Sequence, residues 1–323
     1  MSIEVTNLLK RYGKQKAIDN ISFKIAKGEI VGFLGPNGAG KSTTMKIITG
    51  YLQADGGHAS VCGIDVKKIP LESKKKVGYL PESNPLYYEM YIREYLDFIS
   101  EVHHITNKKK KIEEIIQTVG LMPESKKKIG QLSKGYKQRV GLGAALIHDP
   151  EVLILDEPTT GLDPNQIIEI RDVITQLGKN KTVLFSTHIL QEVEAICDRV
   201  IIINKGIVVA DDTLSNLQQE NKHHHIVLVT FQDPVDITLL EGIQDVLLLT
   251  PEQTNNITAE GRAQGASHTL ASAQYKLQTH KPDSVRKQLL ELSLLHNLNI
   301  VSLRSESHSL EDIFRNLTTV NPS

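Results

Sequence analysis

The sequence predicts an α/β fold: a parallel core sheet with an antiparallel β part and a helical insert, followed by a small α+β domain of ferredoxin-like plan. Three observations predict it. Strand-like segments precede a glycine-rich turn near the N-terminus, strands and helices alternate in the middle of the chain, and the pattern changes after about residue 221. Because 323 residues exceed the usual size of one domain, we expect two, residues 1–220 and 221–323.

The first 33 residues have the pattern of short strands. Apolar and polar residues alternate, with turn signals at Tyr12-Gly13 and Lys27-Gly28. The run at residues 29–34 is continuous, which indicates a buried parallel strand. A glycine-rich turn and the helical segment KSTTMKIITG follow, and Gly50 is well placed to end that helix.

The middle of the chain predicts helices first and then a parallel sheet. Residues from about 88 to 150 carry three helical patterns in succession, which we interpret as a helical insert. Segments of strand and helix type then alternate: EVLILDE, NQIIEIRDVITQLGK, KTVLFSTH, ILQEVEAICDR and VIIIN. Such alternation is typical of βαβ units.

The C-terminal part has a different order of elements. Its apolar segments predict β-α-β-β-α-β with a closing helix at LEDIFRNLT, which is the ferredoxin-like plan. Residues 251–271 are polar, small and weakly patterned, which favours a loose loop on this domain.

The composition limits the classes of protein to which the chain can belong. The net charge is -1, so the chain as a whole does not favour nucleic-acid binding. Cys62 and Cys197 lie far apart in apolar contexts, which indicates neither a disulfide framework nor a thiolate metal site and fits a reducing compartment. Apolar runs such as residues 152–155 have strand length, and the N-terminus lacks the uncharged core of a signal peptide. We therefore expect a cytoplasmic chain that does not itself span a membrane.

The segment GPNGAGKS, residues 35–42, matches the phosphate-binding pattern G-x-x-x-x-G-K-[ST] between a strand and a helix. Its glycines let backbone N–H groups form a concave anion site, and the following helix adds its positive N-terminus. Lys41 is expected to reach the β- and γ-phosphates, and Ser42 to ligate Mg²⁺. The alternative is a flexible glycine turn, which would not need to lie between a strand and a helix.

Two acids end the apolar strand VLIL. Charges at such a strand tip lie at the carboxyl edge of the sheet, where open α/β folds bind ligands. Asp156 fits a metal-side carboxylate, acting directly or through water, and Glu157 fits the general base that polarises the attacking water. Plain surface residues at a strand end are the alternative.

LSKGYKQRV, residues 132–140, resembles the signature sequence of ATP-binding cassette (ABC) transporters and stands a short helix upstream of the acidic strand. The chain is thus similar to the ATP-binding subunit of these transporters over about residues 1–220. The resemblance implies that Ser133 and Gly135 contact the γ-phosphate of ATP held by an opposite subunit, and Ser133 also suits a helix N-cap. Lys134 and Tyr136 depart from the commonest form, LSGGQ.

The remaining motifs of this family occur in its usual order. The resemblance implies that Tyr12 stacks on adenine, that Asp163 in T-G-L-D meets the partner subunit, and that His188 in S-T-H contacts the γ-phosphate. Glu82 stands where glutamine is commonest, so its negative charge departs from the pattern although it can still offer an oxygen to Mg²⁺.

The resemblance assigns the site residues by role, with ATP and Mg²⁺ as the cofactors. The catalytic residues are Glu157, His188 and Lys41, and the metal ligands are Ser42, Asp156 and Glu82. The nucleotide-binding residues are Tyr12, Gly35, Pro36, Asn37, Gly38, Ala39, Gly40, Lys41, Ser42 and Thr43.

The resemblance also implies partners. Two cassettes, a homodimer or another pair, would close head to tail around two ATP molecules and sit on the inner face of the cell membrane against a separate integral membrane permease. Glu82 and the aromatic segment 83–95 would transmit the motion, with core packing as the alternative use of those tyrosines. The C-terminal extension is similar to that of two-component export systems. Two long segments, YLPESNPLYYEMYIREYL and LSKGYKQRVGLGAALIHDPEVLILDEPTTGLDPNQ, resemble most closely the subunits linked to gliding motility.

Two other classes of nucleotide-binding protein do not fit this pattern. Cassette ATPases that work on nucleic acid or ribosomes usually carry a second cassette, a long coiled coil or zinc-binding cysteines, and this sequence contains none of them. A GTP switch would need an N-K-x-D guanine-reading motif, which is also missing. No nucleic-acid partner is therefore expected.

Overall fold

The structure is a computed structural model that describes residues 1–220, 225–233, 235–252, 273–307, 311, 314–315 and 318. The chain divides into two compact units after Leu214: the first contains Met1–Leu214 and the second begins at Ser215. Each unit has its own cluster of buried apolar side chains.

A mixed sheet of six strands forms the centre of the first unit. In order across the sheet, its strands are β10 (Ile207–Thr213), β9 (Arg199–Asn204), β3 (Ile30–Leu34), β8 (Thr182–Thr187), β7 (Val152–Asp156) and β6 (Val77–Leu80). Neighbouring strands run parallel except β10, which pairs antiparallel with β9 at one edge. Strands β7 and β8 are buried along their whole length, as continuous apolar runs require. The predicted parallel core sheet is confirmed.

A second sheet is antiparallel and belongs to the same unit. In order across it, its strands are β2 (Gln15–Ile25), β1 (Ile3–Tyr12), β4 (Gly56–Val61) and β5 (Ile64–Asp65). The ring of Phe23 on β2 lies 5.6 Å from the ring of Phe33 on β3, so the two sheets share one apolar core. The predicted antiparallel β part is confirmed.

Helices flank these strands along the chain. Those of the first unit are α1 (Lys41–Ile48), α2 (Pro70–Lys75), α3 (Ile92–Val102), α4 (Lys108–Thr118), α5 (Lys134–Leu146), α6 (Pro164–Gly178) and α7 (Leu190–Ile196). Gly50 has φ +68° just beyond α1, the left-handed conformation that ends a helix. Helix α7 is shorter than the segment ILQEVEAICDR suggests, because Cys197 is already extended and Arg199 begins β9, where it pairs with Asp211.

The second unit has the predicted ferredoxin-like plan. Its elements are β11 (His225–Phe231), α9 (Ile237–Glu241), β12 (Val246–Glu252), β13 (Ala273–Thr279), α10 (Pro282–Leu295) and β14 (Ile300–Ser307), and α8 (Leu214–Glu220) spans the position where the units divide. The sheet is antiparallel with the order β12-β13-β11-β14. Val285 and Leu289 of α10 are buried in the core of this unit with Phe231 and Leu277.

Two sequence predictions fall mainly outside the described residues. They are the loop at residues 251–271 and the closing helix at LEDIFRNLT. Within the described part of the chain, none of the helices combines the length and the apolar character needed to span a bilayer.

Candidate active site

The glycine-rich loop connects β3 to α1 in a conformation that needs glycine. Gly38 and Gly40 have φ +78° and +111°, a backbone conformation that is strained for residues with a Cβ atom. A Cβ atom on Gly40 would lie 2.6 Å from the carbonyl oxygen of Ala17, so the loop also packs too closely to its neighbour for alanine. This turn leads directly into α1, whose first backbone N–H groups have no partner within the helix.

Lys41 is the first residue of α1, and its side chain is folded over the loop. Its exposed fraction is only 6%, and its Nζ donates to the carbonyl oxygens of Gly35 at 2.7 Å and Pro36 at 3.3 Å. The same Nζ lies 3.4 Å from Oε1 of Glu157. A cation is therefore held at the loop, with a buried carboxylate as its counter-ion.

Ser42 and Asp156 bring two oxygens together from α1 and the end of β7. The hydroxyl of Ser42 donates to Oδ1 of Asp156 at 3.0 Å, although the two residues are 114 positions apart. Hydroxyl and carboxylate oxygens are the hard ligands that Mg²⁺ prefers, usually completed by water and phosphate. The donor set fits a magnesium ion beside the phosphate loop.

Glu157 has an unusual backbone and a crowded carboxylate. Its φ is +49°, an uncommon value for a residue other than glycine, and its exposed fraction is 7%. Oε2 accepts from the hydroxyl of Thr160 at 3.1 Å and is hydrogen-bonded to Nδ1 of His188 at 2.9 Å. Together with Lys41, these two residues contact the carboxylate from three parts of the chain and orient it.

Most of these side chains line one pocket of about 370 Å³, whereas Asp156 lines a larger cavity that shares Ser42 and Glu82 with it. The sequence-predicted residues that line it are Asn37, Gly38, Gly40, Lys41, Ser42, Thr43, Glu82, Glu157 and His188. Gln15, Ala17 and Thr160 also line it, and the sequence analysis did not single them out. The pocket has room for a phosphorylated ligand and presents a cation, hydroxyls and a carboxylate to it.

Tyr12 lies at the end of β1, where it is 53% exposed, with Nζ of Lys10 5.7 Å from its ring centre. Its cross-strand partner on β2 is Gln15, which lines the pocket. An exposed ring on the residue paired with Gln15 suits stacking on a planar base.

The signature residues and Asp163 lie outside this pocket. Ser133 directly precedes α5, and its Oγ accepts from the N–H of Tyr136 at 3.4 Å, so it occupies the N-cap position as expected. Asp163 caps α6 by accepting from the N–H of Gln166 at 3.0 Å. Gly135 faces the same glutamine, since a Cβ on it would lie 2.5 Å from Oε1 of Gln166. The signature segment and the T-G-L-D segment are therefore packed together.

A larger cavity, about 670 Å³, opens on the other side of Ser42 and Asp156, against the loop that carries Glu82. His103 and His148 stack in its wall, with ring centres 4.1 Å apart. Burial lowers the pKa of His148 to about 4, with a further contribution from His103. His148 is accordingly uncharged near neutral pH, whereas Lys46, Lys74, Glu82 and Asp156 also line the cavity.

Ser186 is the main polar residue of the site that sequence reasoning missed. It is completely buried, and its hydroxyl contacts both Asp156 and the backbone of Glu157. The available signal was its place two residues before His188 in F-S-T-H, where a hydroxyl interrupts an apolar strand.

Comparisons with known proteins identify the family. A family model described as ABC transporter matches residues 18–160. The linearmycin resistance ATP-binding protein LnrL of Bacillus subtilis is 34% identical over 322 residues, 98% of this chain and 98% of that protein. The bacitracin transport ATP-binding protein BcrA of Bacillus licheniformis is 39% identical over 224 residues, 69% of this chain and 73% of that protein.

Solved structures agree with this assignment. An ATP-binding subunit of an ABC transporter superposes with a TM-score of 0.62 at 30% identity, covering 68% of this chain and 93% of that one. The cassette MJ0796, in a dimeric post-hydrolysis state with ADP and Pi, gives 0.60 at 25% identity, covering 66% and 98%. The pocket on the glycine-rich loop, the end-to-end likeness to LnrL and the shared cassette fold together show that the chain belongs to the ATP-binding subunits of ABC transporters and is an ATPase.

Proposed function

We propose that this chain binds magnesium ATP in the pocket on the glycine-rich loop and hydrolyses it to power transport, of the export type, through a separate membrane permease. The observation that carries the proposal is the buried carboxylate of Glu157, held between Lys41 and His188 at the mouth of a phosphate-binding loop. A carboxylate in this place can accept a proton from a water molecule that attacks the γ-phosphate.

The nucleotide would be held mainly by the loop. Backbone N–H groups of residues 35–43 surround the phosphates, the N-terminus of α1 adds its partial positive charge, and Tyr12 offers its ring to adenine. Lys41 would exchange its bonds to Gly35 and Pro36 for bonds to the β- and γ-phosphates. Glu157 would then lose its counter-ion and become free to bind the water.

Ser42 and Asp156 would hold the magnesium ion, and Glu82 lines the phosphate pocket together with Ser42. When bound, the ion supplies charge neutralisation of the β- and γ-phosphate oxygens. His188, 2.9 Å from Glu157, would orient the carboxylate toward the water and contact the γ-phosphate. The negative charge of Glu82 distinguishes this chain from the glutamine-bearing pattern.

A second cassette would complete each site. Ser133 and Gly135 lie outside the pocket of their own chain, and the relative MJ0796 is dimeric with nucleotide bound. In a head-to-tail dimer, the exposed N-terminus of α5 on one chain would face the phosphates held by the other. ATP would then bind more tightly to the closed dimer than to the open one, and hydrolysis would reopen it.

Mixing two inactive variants tests this arrangement. Lys41→Ala damages the phosphate loop, and Gly135→Asp places a negative side chain where Gln166 and the partner's phosphate would lie. A random mixture should recover about a quarter of wild-type ATPase activity, because half of the dimers are mixed and each mixed dimer has one complete site. The measurement is phosphate release at equal total protein.

Each variant alone serves as the control and should be inactive but folded by circular dichroism. A mixture that stays as inactive as its components, although the chains exchange, would contradict a site shared between two chains.

The membrane partner would meet the face next to the larger cavity. Tyr87, Tyr88 and Tyr91 are each about half exposed there, and the ring of Tyr87 lies 5.8 Å from that of Phe98. Exposed aromatic side chains suit contact with a hydrophobic helix or loop of a permease. This placement would put the chain at the inner face of the membrane.

The cargo is proposed from relatives alone. LnrL is named for resistance to linearmycin and BcrA for transport of bacitracin, which favours export as the direction of transport. Gliding motility is the narrower proposal, supported by the likeness of two sequence segments, and neither relative carries that name.

The permease contact can be tested in proteoliposomes that contain the cassette and its permease. A Tyr88→Ala/Tyr91→Ala variant should lose most of the ATPase stimulation that the permease provides. Ile207→Ala, on the opposite edge of the main sheet, removes an exposed apolar side chain and should retain it. If the permease stimulates the tyrosine variant as much as it stimulates Ile207→Ala, the contact lies elsewhere.

A further inference from the structure

We propose that Ser186 is a positioning residue of the ATPase, whose single hydroxyl holds both acids of the site, Asp156 and Glu157, in their working geometry. The inference rests on the proposed function, because it assigns Ser186 a role through the carboxylates named above. It gives a role to Ser186, the first residue of S-T-H, which does not line the phosphate pocket.

The sheet register brings Ser186 to the acids. Strands β7 and β8 are parallel neighbours, and Asp156 pairs directly with Ser186. Register partners in a sheet carry their side chains on the same face, so the hydroxyl and the carboxylate meet there. The Oγ of Ser186 donates to Oδ1 of Asp156 at 2.6 Å.

The same oxygen also accepts a hydrogen bond from the backbone N–H of Glu157 at 3.0 Å. A serine hydroxyl has one donor and two acceptor positions, and here it uses one of each. Ser186, Asp156 and Glu157 are 0%, 1% and 7% exposed, so water has little access to replace either bond.

The backbone of Glu157 gives this bond its importance. Its left-handed conformation is unfavourable for a residue with a Cβ atom and persists only where the surroundings hold it. The bond from its N–H to Ser186 is a direct restraint at that point of the chain. Without it, the N–H would be buried and unpaired, and the backbone would be free to turn the carboxylate away.

Ser186 therefore acts on the chemical step more than on binding. It lies behind the acids and does not line the 370 Å³ pocket, whereas the phosphate loop and Lys41 do. Loss of its hydroxyl should disturb the position of the base while leaving the nucleotide cradle in place. Small displacements of a catalytic group reduce the rate by up to ~100-fold.

The test compares Ser186→Ala with Ser186→Thr and with a matched control. Thr182 lies at the other end of β8, is also buried, accepts from the N–H of Gly28 at 3.0 Å and donates to Ser2 at 2.8 Å. Thr182→Ala thus removes a hydroxyl with the same pair of roles at a distance of ~13 Å along the strand. For each variant, kcat, the dissociation constant for magnesium AMP-PNP and the urea midpoint are measured.

The expected result for Ser186→Ala is a kcat lowered at least about tenfold, with AMP-PNP affinity changed less than about threefold. Ser186→Thr keeps the hydroxyl and should restore most of the rate. Thr182→Ala should lower the urea midpoint as much as Ser186→Ala does and keep the wild-type kcat. A Ser186→Ala protein with unchanged kcat, or a folded Ser186→Thr protein as slow as Ser186→Ala, would overturn the inference.

If Ser186→Ala does not fold, Ser186→Cys keeps the size of the side chain and weakens both bonds, and its kcat should fall between those of wild type and an inactive protein. Wild-type kcat in that variant would overturn the inference. Failure of the proposed function has a different signature, since Glu157→Gln would then remain active whatever happens at Ser186.

Discussion

Replacing Glu157 by glutamine is expected to abolish ATP turnover while nucleotide binding persists. The substitution keeps the size of the side chain and removes the basic oxygen that would accept the proton of the attacking water. Loss of a general base lowers rates by about a hundredfold to ten-thousandfold, so we expect kcat to fall about a thousandfold. Single-turnover hydrolysis of ATP measures the chemical step directly.

The same variant should accumulate as an ATP-bound dimer, because binding closes the pair and hydrolysis no longer reopens it. Sedimentation with and without magnesium ATP would show this shift in mass. Glu29→Gln is a suitable control, since Glu29 directly precedes β3, at the end away from the phosphate loop, and its carboxylate accepts from the N–H of Ala26 at 2.7 Å. Normal hydrolysis by Glu157→Gln would refute the assignment of the base.

Lys41→Ala is the second substitution with a large expected effect, and this effect is on affinity. The buried ammonium would form charge-assisted bonds to two phosphates, each contributing about 1.5–3 kcal/mol. Since 1.4 kcal/mol corresponds to a factor of ten, the dissociation constant for magnesium ATP should rise at least about a hundredfold. Titration with a fluorescent ATP analogue measures it.

Lys46→Ala provides the matched control in the same helix. Lys46 lines the larger cavity and not the phosphate pocket, so its removal should leave affinity within about threefold of wild type, as for a distant surface charge. Because Lys41 is also the counter-ion of Glu157, circular dichroism must show that the Lys41→Ala protein is folded. Unchanged binding in a folded Lys41→Ala variant would show that the loop at residues 35–42 does not bind the phosphates.

Much of the fold could be predicted because its signals are local. The apolar run of β7, the helical pattern of α6 and the apolar strand KTVLFSTH appear in short windows of sequence, and tertiary packing did not change their type. Element ends were harder to predict. Helix α7 ends at Ile196 because the chain becomes extended at Cys197 and enters β9, where Arg199 pairs with Asp211 on β10. That contact depends on the fold.

The candidate site divides in the same way. Lys41, Ser42, Asp156 and Glu157 belong to contiguous motifs, so the sequence alone assigns them a phosphate-binding chemistry. The roles of Ser133, Gly135 and Asp163 remain predictions, because these residues lie away from the pocket in a single chain and their partners would come from a second copy. A pattern within one sequence does not show which residues of two chains come together.

By itself, then, the sequence determined the family, the α/β order of the elements and the chemical types placed at the sheet edge. Only the tertiary structure decided which of the hydroxyls that sequence motifs do not assign serve those acids: Ser186 from the neighbouring strand and Thr160 from the following turn. The reason is physical. A motif is a local arrangement of backbone and charge, whereas the partners of a buried carboxylate are set by strand register and packing, here between residues 30 and 114 positions apart.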